Sequence, residues 1–395
     1  MRRFNIATEE EIKKGLTTDV YFERTKKVLE KEGVSKKVFA EVTTQKFQWD
    51  DNWGVLVGVY EALNLLEGAN VNVYSMREGE IFRENEPVFQ IEGDYLDFGI
   101  YETALLGILS EATGIATRAL RCKIKAGAKT VLSFGIRRMH PAIAPMIDRA
   151  AYIGGADGVS GVLGAKIMGI KPSGTIPHAL VILYKNQVEA WKAFDRVVEK
   201  DVPRIALVDT FFDEKTESIM AAENLEKIYG VRLDTPATRR GDIGKIAEEV
   251  RWELDIRGYK DVKIVVSGGI DENEIERLSK YPIDAFGVGT AISKETVDFA
   301  LDIVEVEGKP VAKRGKFSGR KQVLRCSECG RDTLVIKGEK KRCRYCGGKT
   351  EELLKPVMKK GRIKIDFENE KAIRERVLKT AERLSLSKNL NNRDS

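Results

Sequence analysis

The feature that most constrains this fold is an alternation of short apolar segments with helical segments, which begins at about Lys129. The apolar segments are uninterrupted, as expected of parallel strands that are covered on both faces. An alternation of this kind indicates a parallel sheet with intervening helices, either an open doubly wound sheet or a barrel. The predicted strands are Thr130–Leu132, Arg204–Val208, Val231–Leu233, Lys263–Val266 and Ala285–Gly287.

Polar and glycine-rich segments follow nearly every predicted strand. This even distribution favours a barrel, because the loops after all the strands of a barrel meet at one mouth. The sequence also lacks the GxGxxG fingerprint that is typical of doubly wound dinucleotide-binding sheets. We therefore predict an α/β barrel over residues 113–307, with a strand count that can fall short of eight.

The rest of the chain does not alternate in this way. Its strand-like segments are Val38–Thr43, Val71–Met76 and Pro87–Ile91. These patterns predict an α+β N-terminal domain over residues 1–112, which residues 308–325 and 351–395 complete.

Four of the five cysteines form two Cys-x-x-Cys pairs, and a glycine follows each pair. The paired residues are Cys326 with Cys329 and Cys343 with Cys346. Two such pairs place four thiolates around one tetrahedral ion, and zinc is favoured over a rubredoxin-like iron site or two disulfides. Four thiolates complete the coordination sphere, so we predict a structural zinc ribbon over residues 326–350. The fifth cysteine, Cys122, is predicted to lie in the core.

Composition limits the function classes that remain open. The chain has 395 residues, of which 42% are hydrophobic, and a formal net charge of +6. No apolar run approaches the roughly 18–20 residues of a membrane span, and no secretory signal is evident, so we expect the cytoplasm. The modest charge would attract phosphorylated ligands, but it is too diffuse to indicate nucleic-acid binding.

An aromatic residue and two arginines follow the strand predicted at Thr130–Leu132. Phe134 offers a flat face for stacking. Arg137 or Arg138 offers a planar guanidinium that matches a carboxylate or a phosphate. Because ligands of α/β proteins bind beyond the carboxyl ends of the strands, this combination predicts a flat, anionic, heteroaromatic ligand.

Two consecutive glycine-rich turns follow the last two predicted strands, and each of them opens a helix. Barrels often bind phosphate at this position through backbone amides. The residues of the predicted phosphate site are Gly268, Gly269, Gly287, Gly289 and Thr290. Earlier strand ends carry Asp209 and Asp234, each of which could also be a helix cap.

In chain order, these segments resemble nicotinate phosphoribosyltransferases, within the wider type II phosphoribosyltransferase family. A chain of this family that also carries two Cys-x-x-Cys pairs is most similar to the archaeal form of the enzyme. The matching segments are TDVYF (18–22), SFGIRR (133–138), GGAD (154–157), GTIPHAL (174–180), LVDT (207–210), GVRLDT (230–235), SGGID (267–271) and GRKQV (319–323).

The resemblance implies that the ring nitrogen of nicotinate attacks the anomeric carbon of 5-phosphoribosyl pyrophosphate. Pyrophosphate leaves, and nicotinate mononucleotide forms for NAD biosynthesis. Phe134 would stack on one face of the pyridine ring, and Tyr21 from the second subunit of a homodimer or larger homo-oligomer would stack on the other. Arg137 would hold the carboxylate, with Arg138 as its rival and as a ligand of the phosphoribosyl substrate. Asp157 would lie near the ring.

The resemblance also implies roles at the phosphoribosyl end. Arg232 would contact pyrophosphate or ribose, and Asp234 would bind the ribose hydroxyls or a Mg²⁺ ion that bridges the pyrophosphate. Asp209 is the candidate second carboxylate for that metal. The glycine turns would bind the 5′-phosphate.

His178 matches the histidine that related enzymes phosphorylate with ATP, so the resemblance implies a phosphohistidine that couples ATP hydrolysis to synthesis. The neighbours Ile176, Pro177 and Ala179 depart from the family pattern. The other histidine, His140, has no assigned role.

Three other functions remain open. Quinolinate phosphoribosyltransferase shares the barrel and the helical segment at 101–117, but it needs more basic residues for two carboxylates. Nicotinamide could replace nicotinate, with Asp157 accepting from the amide. A nucleic-acid-binding protein could be built on the zinc ribbon, although Tyr345 is the only aromatic residue near its basic side chains.

Overall fold

The computed structural model describes residues 3–239 and 241–391, and only the backbone of 384–391. Residues 392–395 of the predicted N-terminal domain, and residues 1 and 2, lie outside this description. The chain divides into two compact units, residues 1–117 with 295–395 and residues 118–294. The second unit is thus inserted into the sequence of the first. The predicted domain boundaries, including a separate zinc ribbon, stay predictions.

The first unit is built on an antiparallel sheet of seven strands. Its spatial order is Lys309–Pro310, Ala300–Val306, Lys37–Thr43, Phe89–Asp94, Asn72–Ser75, Lys355–Lys359 and Arg362–Ile363. Lys37–Thr43 pairs with Ala300–Val306 on one side and with Phe89–Asp94 on the other. All residues of this strand except the first are buried, as expected of an interior strand of the sheet.

Two smaller antiparallel sheets complete the strands described in this unit. One pairs Trp53–Leu56 with Glu80–Arg83. The other has the order Asp332–Ile336, Lys321–Cys326, Thr350–Glu352 and leads into the cysteine pairs. The α-helices are Glu9–Lys13, Val20–Lys31, Val59–Leu66, Tyr95–Phe98, Glu370–Asn391 and Glu102–Ala126, of which the last continues past the unit boundary.

The second unit contains a parallel sheet of six strands, which confirms the predicted α/β class and a barrel of fewer than eight strands. In spatial order the strands are Gly158–Val159, Thr130–Ser133, Ala285–Val288, Lys263–Val266, Gly230–Leu233 and Ile205–Leu207. The sequence did not predict Gly158–Val159, because two residues with one glycine give no apolar run. The sheet is a partial barrel, so the carboxyl ends of all six strands lie along one edge.

Helices connect these strands. They are Ala144–Ile153, Val162–Ile167, His178–Tyr184, Gln187–Val197, Glu214–Asn224, Ile243–Ile256, Glu272–Leu278 and Thr290–Ser293. Four of them begin after a side chain that accepts a hydrogen bond from a first-turn backbone N–H, and the capping residues are Asn186, Asp213, Asp242 and Asp271. Asp209 and Asp234 cap none of these helices and are therefore available for another role. No helix in the described part of the chain is long and apolar enough to cross a membrane.

Candidate active site and cysteine metal centre

The residues that follow five parallel strands gather along the carboxyl edge of the sheet. Phe134, Asp209, Asp234, Ser267 and Gly289 each come one or two residues after a strand end. The parallel register places these ends side by side, since Leu207 pairs with Arg232 and Val266 pairs with Phe286. This edge is the candidate active site.

Asp209 and Asp234 are tied together by hydrogen bonds. Oδ2 of Asp209 accepts from the backbone N–H of Asp234 at 2.6 Å and from the Thr235 hydroxyl at 2.8 Å. The Ser267 hydroxyl donates to Oδ1 of Asp234 at 2.5 Å. Asp209 Oδ1 is buried and has no hydrogen-bond partner among the described residues. Two carboxylates on neighbouring strand ends are thus fixed in place, with one oxygen of Asp209 left for a cationic ligand.

His178 lies between these two carboxylates. Its Nε2 is 3.7 Å from Oδ1 of Asp209 and 3.7 Å from Oδ2 of Asp234. Its Nδ1 is 3.1 Å from the Thr210 hydroxyl, which fixes the ring plane. The imidazole is 37% exposed, whereas the side chain of Asp209 is only 2% exposed. The histidine is therefore the more accessible of the two side chains.

The charges at this edge shift one another's proton affinities. Contact with Asp234, and then the charge of Asp209, raises the pKa of His178, although burial and Arg232 oppose the shift. Burial raises the pKa of Asp209. Burial also acts to raise the pKa of Asp234, but contacts with His178 and Ser267 and the charge of Arg232 outweigh it and lower that pKa. Asp234 is consequently the member of the pair that holds its negative charge more firmly.

Arg232 brings a buried positive charge to the same edge. Its Nη2 lies 3.6 Å from Oδ2 of Asp234 and donates to the Ile176 carbonyl at 3.4 Å. Its Nε is buried and has no hydrogen-bond partner among the described residues. Burial, together with the positive charge of Arg137, lowers the pKa of Arg232. A guanidinium group at this edge favours an anion near it.

The ring of Phe134 packs over a glycine. A Cβ atom at Gly287 would collide with two carbons of the Phe134 ring, so only glycine leaves room for the ring here. The Phe134 N–H donates to the Val288 carbonyl at 2.7 Å, which fixes the start of the following loop. Arg137 and Arg138 stand on the 3₁₀ turn Gly135–Arg138, and both are exposed.

The first glycine turn has a backbone conformation that favours glycine. Gly268 and Gly269 have φ angles of +86° and +74°, which other residues adopt at a cost. A Cβ at Gly268 would also approach the Asp234 carbonyl oxygen to 3.0 Å. The second turn runs through Gly289 into the helix Thr290–Ser293. In both turns the glycines have no side chains that would cover the backbone N–H groups, so these groups are available to bind a phosphate.

Glu217, which was not predicted as a site residue, holds the loop after Ile205–Leu207. Its buried carboxylate accepts hydrogen bonds from the N–H groups of Thr210, Phe211 and Phe212 at 3.1, 2.8 and 2.9 Å. This arrangement sets the position of the Thr210 hydroxyl that contacts His178. Because glutamate is common in the first turn of a helix, no sequence pattern indicates this role.

Asp157 is not among the residues that meet at the carboxyl edge of the sheet. It precedes Gly158–Val159, and its Oδ2 accepts from the Val131 N–H at 2.8 Å, near the amino end of the sheet. The same oxygen pairs with Lys123 Nζ at 2.8 Å. The role of Asp157 near the ring of the substrate stays a prediction.

Two other side chains are described on their own elements. Tyr21 belongs to the first unit and is 57% exposed, in the first turn of Val20–Lys31. His140 accepts a hydrogen bond from the Ala142 N–H at 3.2 Å and caps the short turn Pro141–Ile143. This cap gives His140 a structural role, which the sequence left unassigned.

The four paired cysteines converge in the first unit and could hold a metal ion. Their sulfur atoms all lie within 4.8 Å of one another, with Cys326 and Cys346 at 3.4 Å and Cys329 and Cys343 at 3.5 Å. Tetrahedral zinc–thiolate bonds of about 2.3 Å place sulfur atoms about 3.8 Å apart, so the cluster has the size that zinc needs. Cys122 is buried elsewhere, and burial raises its pKa to about 12.

Comparison with known proteins agrees with this arrangement. Residues 19–113 and 115–302 match the N-terminal and C-terminal domains of the family described as quinolinate phosphoribosyl transferase. The crystal structure of a nicotinate-nucleotide pyrophosphorylase from Pyrococcus furiosus is 62% identical, with a TM-score of 0.95, and the match covers 98% of this chain and 99% of that one.

Curated relatives of this chain are named nicotinate phosphoribosyltransferases. A nicotinate phosphoribosyltransferase of Mycobacterium tuberculosis is 33% identical over 308 residues, which are 74% of this chain and 64% of the relative. A second relative, a nicotinate phosphoribosyltransferase of Bacillus subtilis, is 30% identical over 70% of this chain and 63% of its own length. The chain therefore spans somewhat less than two thirds of these curated relatives. The chain belongs to the family described as quinolinate phosphoribosyl transferase, whose two domains it matches.

The family fold extends over nearly the whole chain. The crystal structure of human nicotinic acid phosphoribosyltransferase superposes with a TM-score of 0.78 over 93% of this chain and 94% of that one, at 19% identity. At this identity the match shows the common fold alone. The antiparallel first unit and the partial barrel are thus family features.

Proposed function

We propose that this chain is a nicotinate phosphoribosyltransferase, which forms nicotinate mononucleotide and pyrophosphate from nicotinate and 5-phosphoribosyl pyrophosphate. The observation that carries the proposal is the position of His178 and Arg232 beside the Asp209–Asp234 pair, at the same sheet edge as Phe134 and the glycine turns. The names of the curated relatives agree with it.

The phosphoribosyl end of the reaction needs charge placement more than a nucleophile of the protein. As the bond to pyrophosphate breaks, positive charge develops on the anomeric carbon and negative charge on the leaving group. Arg232, with an Nε that has no partner among the described residues, is suited to the leaving pyrophosphate. Asp234 is suited to the ribose hydroxyls, and the turns at Gly268 and Gly289 to the 5′-phosphate.

The nicotinate end requires a flat surface and a cation. Phe134, held over Gly287, supplies the surface, and the exposed guanidinium of Arg137 supplies the cation for the carboxylate. Arg138 is the neighbour that could replace it. Holding the ring nitrogen toward the anomeric carbon would convert a bimolecular encounter into an oriented one, which is a major source of rate acceleration.

The donor set also fits a magnesium ion. Asp209 Oδ1 is a buried carboxylate oxygen without a hydrogen-bond partner in the described residues, and Asp234 stands beside it. Mg²⁺ binds through one or two carboxylates and substrate phosphates, so Asp209 and Asp234 would hold it against the pyrophosphate. The ion would neutralise charge on the leaving group. Zinc is the ion that we propose for the four cysteines.

We further propose that His178 accepts the γ-phosphoryl group of ATP. Once the attacking imidazole nitrogen has lost its proton, its lone pair would form a bond to the γ-phosphorus as the bond from phosphorus to the ADP oxygen breaks, and ADP would leave. Partial exposure of the ring and its fixed orientation against Thr210 support this role. Asp209 and Asp234, whose carboxylates face Nε2, would hold the protonated imidazole of His178 between reaction cycles.

The remaining proposals concern the assembly and its location. We propose a homodimer, or a multiple of one, in which Tyr21 of each subunit completes the site of the other. The exposure of the Tyr21 side chain supports a contact with a second subunit. We propose the cytoplasm as its location.

Quinolinate phosphoribosyltransferase is the second candidate, because the matching family domains carry that name. The test is nucleotide formation from 5-phosphoribosyl pyrophosphate and Mg²⁺, with nicotinate, nicotinamide or quinolinate offered separately, each with and without ATP. Turnover of nicotinate supports the proposal, and stimulation by ATP supports the role of His178. Turnover of quinolinate with release of carbon dioxide would transfer the assignment to the second candidate.

A further inference from the structure

A charged cavity lies within the first unit, whereas the candidate active site belongs to the second unit. It has a volume of about 540 Å³ and lies beside the first cysteine pair. Six cationic side chains line it, together with the three carboxylates of Glu80, Glu328 and Glu351. The cationic residues are Arg77, Arg83, Arg325, Arg376, Lys379 and Arg383. Its arginine and lysine side chains thus exceed its carboxylates by three, and the thiolates of the proposed zinc site, of which Cys326 and Cys329 also line the cavity, would offset part of this excess.

Part of this positive charge is neutralised by the protein. Arg325 pairs with Glu80 and with Asp332, and Arg83 pairs with the same aspartate. These ion pairs build the wall of the cavity, and they fix Arg325 with only 12% of its side chain exposed.

Three of the other four cations lack such compensation. Arg77, Lys379 and Arg383 are exposed and form no hydrogen bond or ion pair through their side chains with any described residue. Arg376 donates to Glu368 and to the Glu78 carbonyl, yet its Nε is buried without a hydrogen-bond partner in the described part of the chain. Like charges held together repel one another, so this lining is more favourable with an anion than without one.

The size and chemistry of the cavity define the ligand class. A volume of this order holds a drug-sized ligand. Guanidinium and ammonium groups that converge from the helix Glu370–Asn391 and from Arg77 match several phosphate oxygens at once. We propose that this cavity is a binding site for a small polyphosphate anion, such as inorganic tripolyphosphate or the triphosphate of a nucleotide, separate from the candidate active site.

Calorimetric titration of the zinc-loaded full chain with tripolyphosphate tests the site. The variant Arg77→Gln/Lys379→Gln removes two uncompensated cations, and Lys371→Gln/Lys359→Gln removes the same charge from exposed positions outside the cavity. We expect the cavity variant to bind about tenfold or more weakly, since each charge-assisted hydrogen bond contributes at least as much as a tenfold change requires. The control variant should bind as the native chain does.

Two further arms separate this site from the alternatives. Arg232→Gln, at the candidate active site, should leave cavity binding intact, and loss of tripolyphosphate binding in that variant alone would overturn the proposal. ATP in place of tripolyphosphate distinguishes recognition of the phosphates alone from recognition of a nucleotide. If tripolyphosphate does not bind, and a labelled oligouridylate binds the native chain but not the cavity variant, the proposal is overturned in favour of nucleic acid.

Discussion

The backbone N–H of Asp234 donates a 2.6 Å hydrogen bond to Oδ2 of Asp209, and so joins the ends of two neighbouring parallel strands. This bond leaves the other oxygen of Asp209 on the side of His178, 3.7 Å from Nε2. A change at either aspartate should therefore be detected at the histidine.

Asp234→Asn should lower the pKa of His178 toward its ordinary value of 6.5, because contact with Asp234 is the main cause of the upward shift. An NMR titration of the two histidines measures it, with His140 as the internal control. The raised pKa means that the His178 contribution to stability is present below about pH 6.5 and is lost as the pH rises through the folded-state value. An unchanged titration of His178 would rule out this coupling.

Asp209→Asn should reduce kcat/KM for nucleotide formation by about a hundredfold or more, the usual loss when one transition-state charge contact is removed. The hydrogen bonds to Oδ2 can persist with the asparagine oxygen, so the fold should be retained. Asp213→Asn, at a helix cap on the same loop, is the matched control and should keep activity near the native value.

Gly287→Ala should displace the Phe134 ring and raise the KM for nicotinate, because the added methyl group collides with that ring. Gly107→Ala is the control, since no atom lies within 4 Å of the position where its Cβ would be. Steady-state kinetics with nicotinate as the varied substrate measure the effect. Equal KM values for the two variants would show that Phe134 does not define the nicotinate site.

Arg137→Lys should impair turnover of nicotinate more than turnover of nicotinamide, because lysine cannot reproduce the bidentate contact of a guanidinium with a carboxylate. Arg138→Lys is the matched control and should change the turnover of nicotinate and the turnover of nicotinamide to the same extent. If Arg138→Lys instead shows the larger selectivity change, the carboxylate contact belongs to Arg138.

Mixing two inactive variants tests the shared site. In a heterodimer of Tyr21→Ala with Asp234→Asn, one of the two sites contains both native residues if Tyr21 acts in trans. Activity should then reappear on mixing and subunit exchange. A mixture that stays as inactive as its components would place Tyr21 in the site of its own subunit or outside the site.

Cys329→Ser should abolish stoichiometric zinc binding and lower Tm, since a four-thiolate site contributes its binding energy to folding. Cys122→Ser changes a buried thiol that is not part of the cluster and should keep the metal. Metal analysis by mass spectrometry, together with thermal unfolding of both variants, measures the two effects.

Much of the second unit could be predicted because parallel strands are uniformly apolar. Val131 and Val266 lie in apolar runs that can be recognised from the local sequence alone. Because the carboxyl ends of parallel strands meet at one edge, Asp209, Asp234 and Phe134 could be predicted to lie together there. The contacts of Asp157 at the amino end of the sheet could not be predicted, because a two-residue strand that contains a glycine leaves no apolar run in the sequence. Glu217 depends on a contact with three loop amides, which sequence spacing alone does not reveal.

The interrupted course of the first unit has a consequence for biosynthesis. The strand Lys37–Thr43 finds one partner, Phe89–Asp94, soon after it leaves the ribosome, but its other partner, Ala300–Val306, is synthesised about two hundred residues later. Throughout that interval the nascent chain exposes an unpaired edge of a largely buried strand. The inserted barrel residues can meanwhile complete their own parallel sheet, so their folding speed sets how long that edge is open to wrong partners.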